Sequence, residues 1–284
     1  MAGITMDFRQ PPAAMADSVS FFYRFQQSEP AFETVDRADF AQFRFVLRGR
    51  GRYRFIDGVE QVMPDIYIQG PTTGVVTISG EGDTDCIGAG LMPAGWAALV
   101  PMDASAASNR LFDARDLFGD AVVDAQTALR AADDFDAQVK VFEALIVRLT
   151  TARRSPYNDF VVQVNDWLAD AVLPDVAELV ERTGLSRSQV ERSCKRYFGA
   201  PPKLLARKYR ALRAAVAIAH HDVDLDDLLA EGFYDQSHLI REMKHFTGMT
   251  PGTFEKHPTV LNQQIAKRIE LERRNPMRRG AVIT

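Results

Sequence analysis

An internal repeat in the C-terminal half constrains this chain most. Adding 49 to the numbering carries Ser186 onto Asp235, Val190 onto Leu239, Arg192 onto Arg241, Cys194 onto Met243, Lys195 onto Lys244, Gly199 onto Gly248 and Pro202 onto Pro251. Self-similarity at a fixed offset marks a duplicated structural unit. Ser186 and Asp235 each offer an oxygen to the exposed N–H groups of a first helical turn, which predicts a helix starting at each. Apolar residues follow at i, i+4 and i+7: Val190, Cys194 and Tyr197 in one copy, Leu239, Met243 and Phe246 in the other. That spacing makes one buried stripe per helix, with Arg192, Lys195, Arg241 and Lys244 off it. Upstream, a short apolar-patterned stretch (Val176, Leu179, Val180; then Leu225, Leu228, Leu229) leads into a glycine-containing turn at Gly184 or Gly232. Helix, turn and capped helix is the helix-turn-helix plan, in which the second helix enters the major groove of DNA.

Between the copies, Pro202 to about Ala219 predicts a single helix of about 27 Å, close to one DNA turn of about 34 Å. Two reading helices on such a connector can enter consecutive major-groove segments. The net charge of −4 over 284 residues argues against a polyanionic partner only as an average. Residues 1–155 carry 15 basic and 21 acidic side chains, and the remainder 19 and 17. Arg182 to Arg213 holds ten Lys or Arg against the single acid Glu191. The competing reading is a helical bundle whose basic face is merely solvated.

The length suits roughly two domains, and 46% hydrophobic with 25% charged residues excludes a disordered or fibrous chain. From about Val19 to Val100 short β-rich stretches alternate with Gly, Pro and Asp, and Asp57-Gly58 suits a tight hairpin turn. Strands so spaced predict a cupin-like antiparallel β-barrel. Helical patterning, beginning with Leu111 to Gly119, then runs to about residue 152. Phe135, Val139, Phe142, Ile146 and Leu149 form one apolar seam, which either packs on the barrel or serves as a dimer interface. Arg153-Arg154-Ser155-Pro156 breaks the pattern. The fold class expected is therefore α+β: a barrel domain over 1–155 with helices at 111–152, an all-α domain with two helix-turn-helix motifs over 156–258, and a helical tail over 259–284.

The stretch from about Pro174 to His257 resembles the DNA-binding domain of AraC/XylS-type transcription regulators, with GFYDQSHLIREMKHFTGMTP the most characteristic segment and GLSRSQVERSCKRYFGAPP its first copy. The first 150 residues resemble, more weakly, the sensor domain found upstream in many such regulators. Cys194 and Met243 depart from the Phe usual there, Glu255 stands where a basic residue is common, and Asp226 and Asp227 intrude on an expected apolar pair. The resemblance implies base-edge contacts from Arg187, Ser188, Glu191 and Arg192 in the first copy and from Gln236, Ser237, His238 and Arg241 in the second. Arg192 is the leading candidate, since arginine can bond guanine O6 and N7 together; a phosphate contact or an ion pair is its alternative. Lys195, Arg196, Lys203, Arg207, Lys208 and Lys244 are candidate phosphate contacts, which set affinity and salt dependence. The Asp222 to Asp227 acids predict weaker DNA binding by the second unit.

In the barrel, Phe45, Tyr53, Phe55, Tyr67 and Trp96, alongside Arg44, Arg52 or Arg54, are candidates to line a small-effector pocket; the alternative is that the aromatics fill the core. All five histidines lie at or beyond residue 220, so no metal is expected in the barrel. No cofactor is expected either. Cys86 and Cys194 suggest no disulfide framework. The alternative function is a barrel enzyme or a cysteine-dependent repair protein with an accessory DNA-binding domain. The expected regulator is not an enzyme. It is expected to be a cytoplasmic homodimer that acts on double-stranded DNA, and no apolar run of about 18 residues implies a membrane span. A small molecule is the candidate effector and RNA polymerase a candidate partner, with the activator reading set beside that of a repressor.

Overall fold

The computed structural model describes residues 4–151, 159–170, 174–220, 233 and 235–256. Eight strands form one antiparallel sheet: β1 (Thr5–Arg9), β2 (Val19–Gln27), β3 (Ala31–Asp36), β4 (Ala41–Phe55), β5 (Glu60–Val62), β6 (Ile66–Gln69), β7 (Val76–Leu91) and β8 (Leu111–Asp113). The long strands β4 and β7 pair over most of their length. Around them the order is β1-β2-β7-β4-β6-β8, with β3 added to β7 and β5 to β4. The sheet is not closed, which corrects the expected barrel: β1 and β8 remain separate edges. Leu111–Asp113, read from sequence as the start of a helix, pairs with β6 instead.

Alternation sorts the side chains of the sheet. Phe43 and Phe45 of β4, Ile66 and Ile68 of β6, and Ile87 and Ala89 of β7 share one buried cluster. Five helices follow in sequence: α1 (Pro93–Leu99), α2 (Ala104–Ala107), α3 (Ala114–Phe118), α4 (Asp120–Ala131) and α5 (Phe135–Thr151). The seam of α5 enters this cluster. Phe135, Val139, Phe142 and Ile146 are buried in it, and Leu149 packs against it. The Phe142 ring stands edge-on to Phe43 at 5.2 Å and to Phe45 at 5.1 Å. The seam is thus spent within its own domain and is not a dimer surface. Phe45 and Trp96 belong to the same core, which removes both from the candidate pocket.

The helical region comprises α6 (Asp159–Asp170), α7 (Val176–Thr183), α8 (Arg187–Phe198), α9 (Pro202–His220), α10 (Gln236–Thr247) and α11 (Pro251–Lys256). Its core includes Trp167, Leu179, Val190, Cys194 and Leu212, and it also takes in Phe40 and Met92 from the sheet region. Apolar packing is therefore continuous between the two halves. The link at Arg153 to Pro156, the acids from Asp222 to Asp227, the helix around Leu225 to Leu229, and the tail from 259 lie outside the described residues.

Replacing Phe142 by alanine is expected to lower the unfolding free energy by about 3–5 kcal/mol, as for a large aromatic lost from a packed core. Urea denaturation checks this, and an unchanged midpoint would return α5 to the surface.

Candidate nucleic-acid interface

The repeat is reproduced in three dimensions. Helices α8 and α10 each span 12 residues, and each ends on a glycine in the left-handed conformation, Gly199 at φ 80° and Gly248 at φ 76°. Ser186 and Gln189 form a capping box at the start of α8. The Asp235 carboxylate accepts from the His238 backbone N–H at 2.7 Å at the start of α10. Val190 and Cys194 in α8, and Leu239, Met243 and Phe246 in α10, are buried as the stripe predicted. In the first copy Phe198 is buried and Tyr197 is half-buried against the same cluster.

The first turns of both helices are open. Arg187, Ser188, Glu191 and Arg192 are exposed on α8, and Gln236, Ser237 and Arg241 on α10, with His238 half-buried. Lys195, Arg196, Lys203 and Lys244 are also exposed. Arg196 lies 3.7 Å from Asp103. Arg207 is held by two hydrogen bonds to the buried Glu242, at 2.8 and 3.0 Å. Burial alone would raise the Glu242 pKa, but the Arg207 hydrogen bonds and charge bring it below the ordinary glutamate value.

Lys208 departs from expectation. It is 4% exposed, and its ammonium donates to the backbone oxygens of Asp39 at 2.8 Å and Thr72 at 3.2 Å. In this arrangement it cannot reach a phosphate. It fastens the connector α9 to two sheet-region loops, adding a second donor to Asp39 O, which also accepts from the Thr72 N–H at 3.0 Å, and a donor to Thr72 O. The second reading helix is fastened beside it. The Val75 N–H donates to His245 O at 3.0 Å, the Ala38 N–H to Phe246 O at 2.7 Å, and His245 Nε2 lies 3.0 Å from Thr73 O. In the first copy, Ser108 Oγ donates to Gly199 O at 2.8 Å. A side chain at Gly199 would meet Pro71, and one at Gly248 would come 2.7 Å from Val35 and 3.5 Å from Val75. The loop from Pro71 to Val75 therefore touches the C-terminal ends of both reading helices.

On the sheet face opposite α5 lies a cavity of about 90 Å³, whose lining includes Tyr53, Tyr67 and Arg44. Phe55 is buried beside Tyr53 but is not part of the lining. Arg52 and Arg54 are exposed. Its floor is one cross-strand row: Tyr23 of β2 pairs with Gly88 of β7, which pairs with Arg44 of β4, which pairs with Tyr67 of β6. The Arg44 Nε donates to Tyr23 OH, and Nη1 donates to Tyr53 OH and to Gln69 Oε1 at 3.0 Å. Tyr53 and Tyr67 hydroxyls are 2.8 Å apart. Gly88 is needed because a Cβ there would strike the Tyr23 ring. Asp36 Oδ2 stands 3.5 Å from Arg44 Nη2. Burial pushes the Asp36 carboxyl above its ordinary value, with the Arg44 charge pulling the other way. Tyr23, Asp36 and Gly88 were not among the sequence candidates, although Tyr23 sits in an aromatic strand and Gly88 in a glycine-rich one.

Burial pushes both thiols, Cys86 and Cys194, up to about 12. Thiols so placed are protonated at neutral pH, the opposite of an activated nucleophile. Among the described residues no group of three or more His, Cys, Asp or Glu side chains is placed to hold a metal ion. No helix among them is long and apolar enough to cross a membrane.

No curated protein matches the chain. Among solved structures, ToxT from Vibrio cholerae is similar with a TM-score of 0.47 at 8% identity, over 81% of this chain and 95% of that one. ToxT with bound unsaturated fatty acid gives 0.46 at 8% identity, over 86% and 95%. The AraC-like transcriptional activator CuxR gives 0.31 at 14% identity, over 80% and 91%. The family described as a helix-turn-helix domain matches residues 179–257, the span from α7 through the second reading helix and α11. The C-terminal region of this chain is a DNA-binding helix-turn-helix domain of the AraC type.

Proposed function

We propose that the protein is a sequence-specific transcription regulator whose two reading helices, α8 and α10, enter successive major-groove segments. The observation that carries this reading is the pair of capped, equal-length helices at an offset of 49 residues, with their first turns exposed. Arg187, Ser188, Glu191 and Arg192, with Gln236, Ser237, His238 and Arg241, are the proposed base-reading set. Lys195, Arg196, Lys203, Arg207 and Lys244 are the proposed phosphate contacts; Lys208 leaves that set. Arg192 is exposed on α8, so its guanidinium can reach a guanine edge.

The sheet region is the proposed control element, with a small molecule in the Arg44 cavity as effector. Support comes from strand β3. Its Thr34, Val35 and Asp36 line the cavity, Val35 also abuts Gly248, and the chain runs on to the Ala38 contact with Phe246. A ligand in the cavity and the second reading helix thus share one strand. A cytoplasmic homodimer that acts as an activator through RNA polymerase is the fuller form of the proposal, with the dimer surface somewhere other than the α5 seam. The raised thiols favour this reading over a cysteine-dependent repair protein.

Arg192→Ala is expected to weaken binding to an operator selected from random DNA by about 1–3 kcal/mol and to leave random-sequence binding nearly unchanged. Titration at fixed salt checks it, and equal losses on both DNAs would remove Arg192 from base reading. Lys203→Ala is expected to lower the slope of log affinity against log salt by about 0.9. Lys208→Ala is expected to leave that slope alone and instead to cost about 1–3 kcal/mol of folding stability, through the buried Thr72 carbonyl stripped of its Lys208 donor and the lost bond to Asp39 O. A reduced slope in the Lys208 variant would show that this ammonium reaches DNA after all.

A further inference from the structure

We infer that the Arg44 cavity takes an uncharged molecule whose polar end carries a hydrogen-bond acceptor and donor side by side, as in a primary amide or a hydroxy-carbonyl, on an apolar body. This rests on reading the cavity as the effector site and names the chemistry it selects. The wall contains one cation and one anion, Arg44 and Asp36, with 3.5 Å between Nη2 and Oδ2. Their charges already balance. Arg44 Nε and Nη1 are committed to Tyr23, Tyr53 and Gln69. Nη2 has only the Asp36 oxygen, at a distance beyond a normal N–H···O bond. One donor nitrogen and one acceptor oxygen therefore stand side by side, each with hydrogen-bonding capacity to spare.

A second anion could reach Nη2 only by lying against the Asp36 carboxylate, and a cation could reach Asp36 only by lying against Arg44. Either would place like charges together where little water screens them. A neutral carbonyl accepts from Nη2, and an adjacent N–H or O–H donates to Asp36, so both wall groups gain a partner at no charge cost. The remaining walls are uncharged and mostly apolar, with Phe25, Phe32, Met63 and Ile78 beside Thr34, Ser79 and Thr84. The cavity of about 90 Å³ is smaller than the ~150 Å³ one that admits benzene. A polar end with a short, narrow chain suits that space.

The experiment titrates full-length protein with pentanamide, pentanoate and pentylammonium at about pH 7, where the two ions are fully charged, using ligand-observed NMR. Pentanamide is expected to bind at least about tenfold more tightly than either ion. In Asp36→Asn, where Arg44 has lost its counter-charge, pentanoate is expected to gain about tenfold relative to the amide. Ile78→Trp, which fills the cavity, is expected to lose the amide; should that variant fail to fold, the Asp36→Asn comparison decides. Preference of the wild-type protein for pentanoate or pentylammonium would overturn the ligand class and leave the effector site standing. Retained amide binding in folded Ile78→Trp would place the ligand elsewhere. Binding of none of the three, to either wild type or Asp36→Asn, would overturn both the ligand class and the effector site.

Discussion

Strand alternation is the constraint on which the rest of this structure depends. Neighbouring residues of β4 must face opposite sides of the sheet, so Phe43 and Phe45 go to the side covered by α5 while Arg44 goes to the other. One side becomes a dry core closed by Phe142. The other must accommodate a buried guanidinium, which is tolerable only with hydrogen-bond partners and a counter-charge. Three tyrosines, Gln69 and Asp36 surround it for that reason. The cavity is thus the polar counterpart of the core, on the other face of the same sheet.

The alternation is not uniform along β4. Pairing with β7 shifts between Val46 and Arg48 and again between Arg48 and Arg50, with Gly49 at φ 96°. A non-glycine residue is strained in that conformation. The irregularity changes the phase, so that Tyr53 and Phe55, of odd number, come to the face that holds the even-numbered Arg44. Without it, Tyr53 would point away from the group it binds.

These features explain what could be read from the residues alone. The repeat was legible for α8 and α10, because caps, stripe and terminal glycine are each local and mutually consistent, although the last stripe position of α8 is filled by Phe198 and not by Tyr197. In the cavity, Tyr53, Tyr67 and Arg44 were legible, but Phe45 was not a sound companion for Arg44, since adjacent strand residues cannot share a face. Trp96 lies on α1 and was drawn into the core by a helix whose docking no local pattern reveals. The same holds for closure: a run of strands does not state whether the first and last will meet, and here they do not. The α5 seam was legible as a seam, but apolar spacing is indifferent to whether the partner surface belongs to the same chain. Lys208 was misread because a basic residue in a basic stretch carries no local sign that a carbonyl from 136 residues away will claim it.

The two C-terminal glycines have a consequence beyond ending their helices. Gly199 and Gly248 both abut the sheet region, at opposite ends of the short loop from Pro71 to Val75, while Lys208, on the connector between them, is tied to the same loop through Thr72. The loop therefore acts as a yoke across the duplicated unit. It registers the distance between the copies as a matter of internal fit, before any nucleic acid is present. An insertion in the connector would be felt first as a misfit against the sheet, so the spacing that suits a double helix is also imposed by the protein's own architecture.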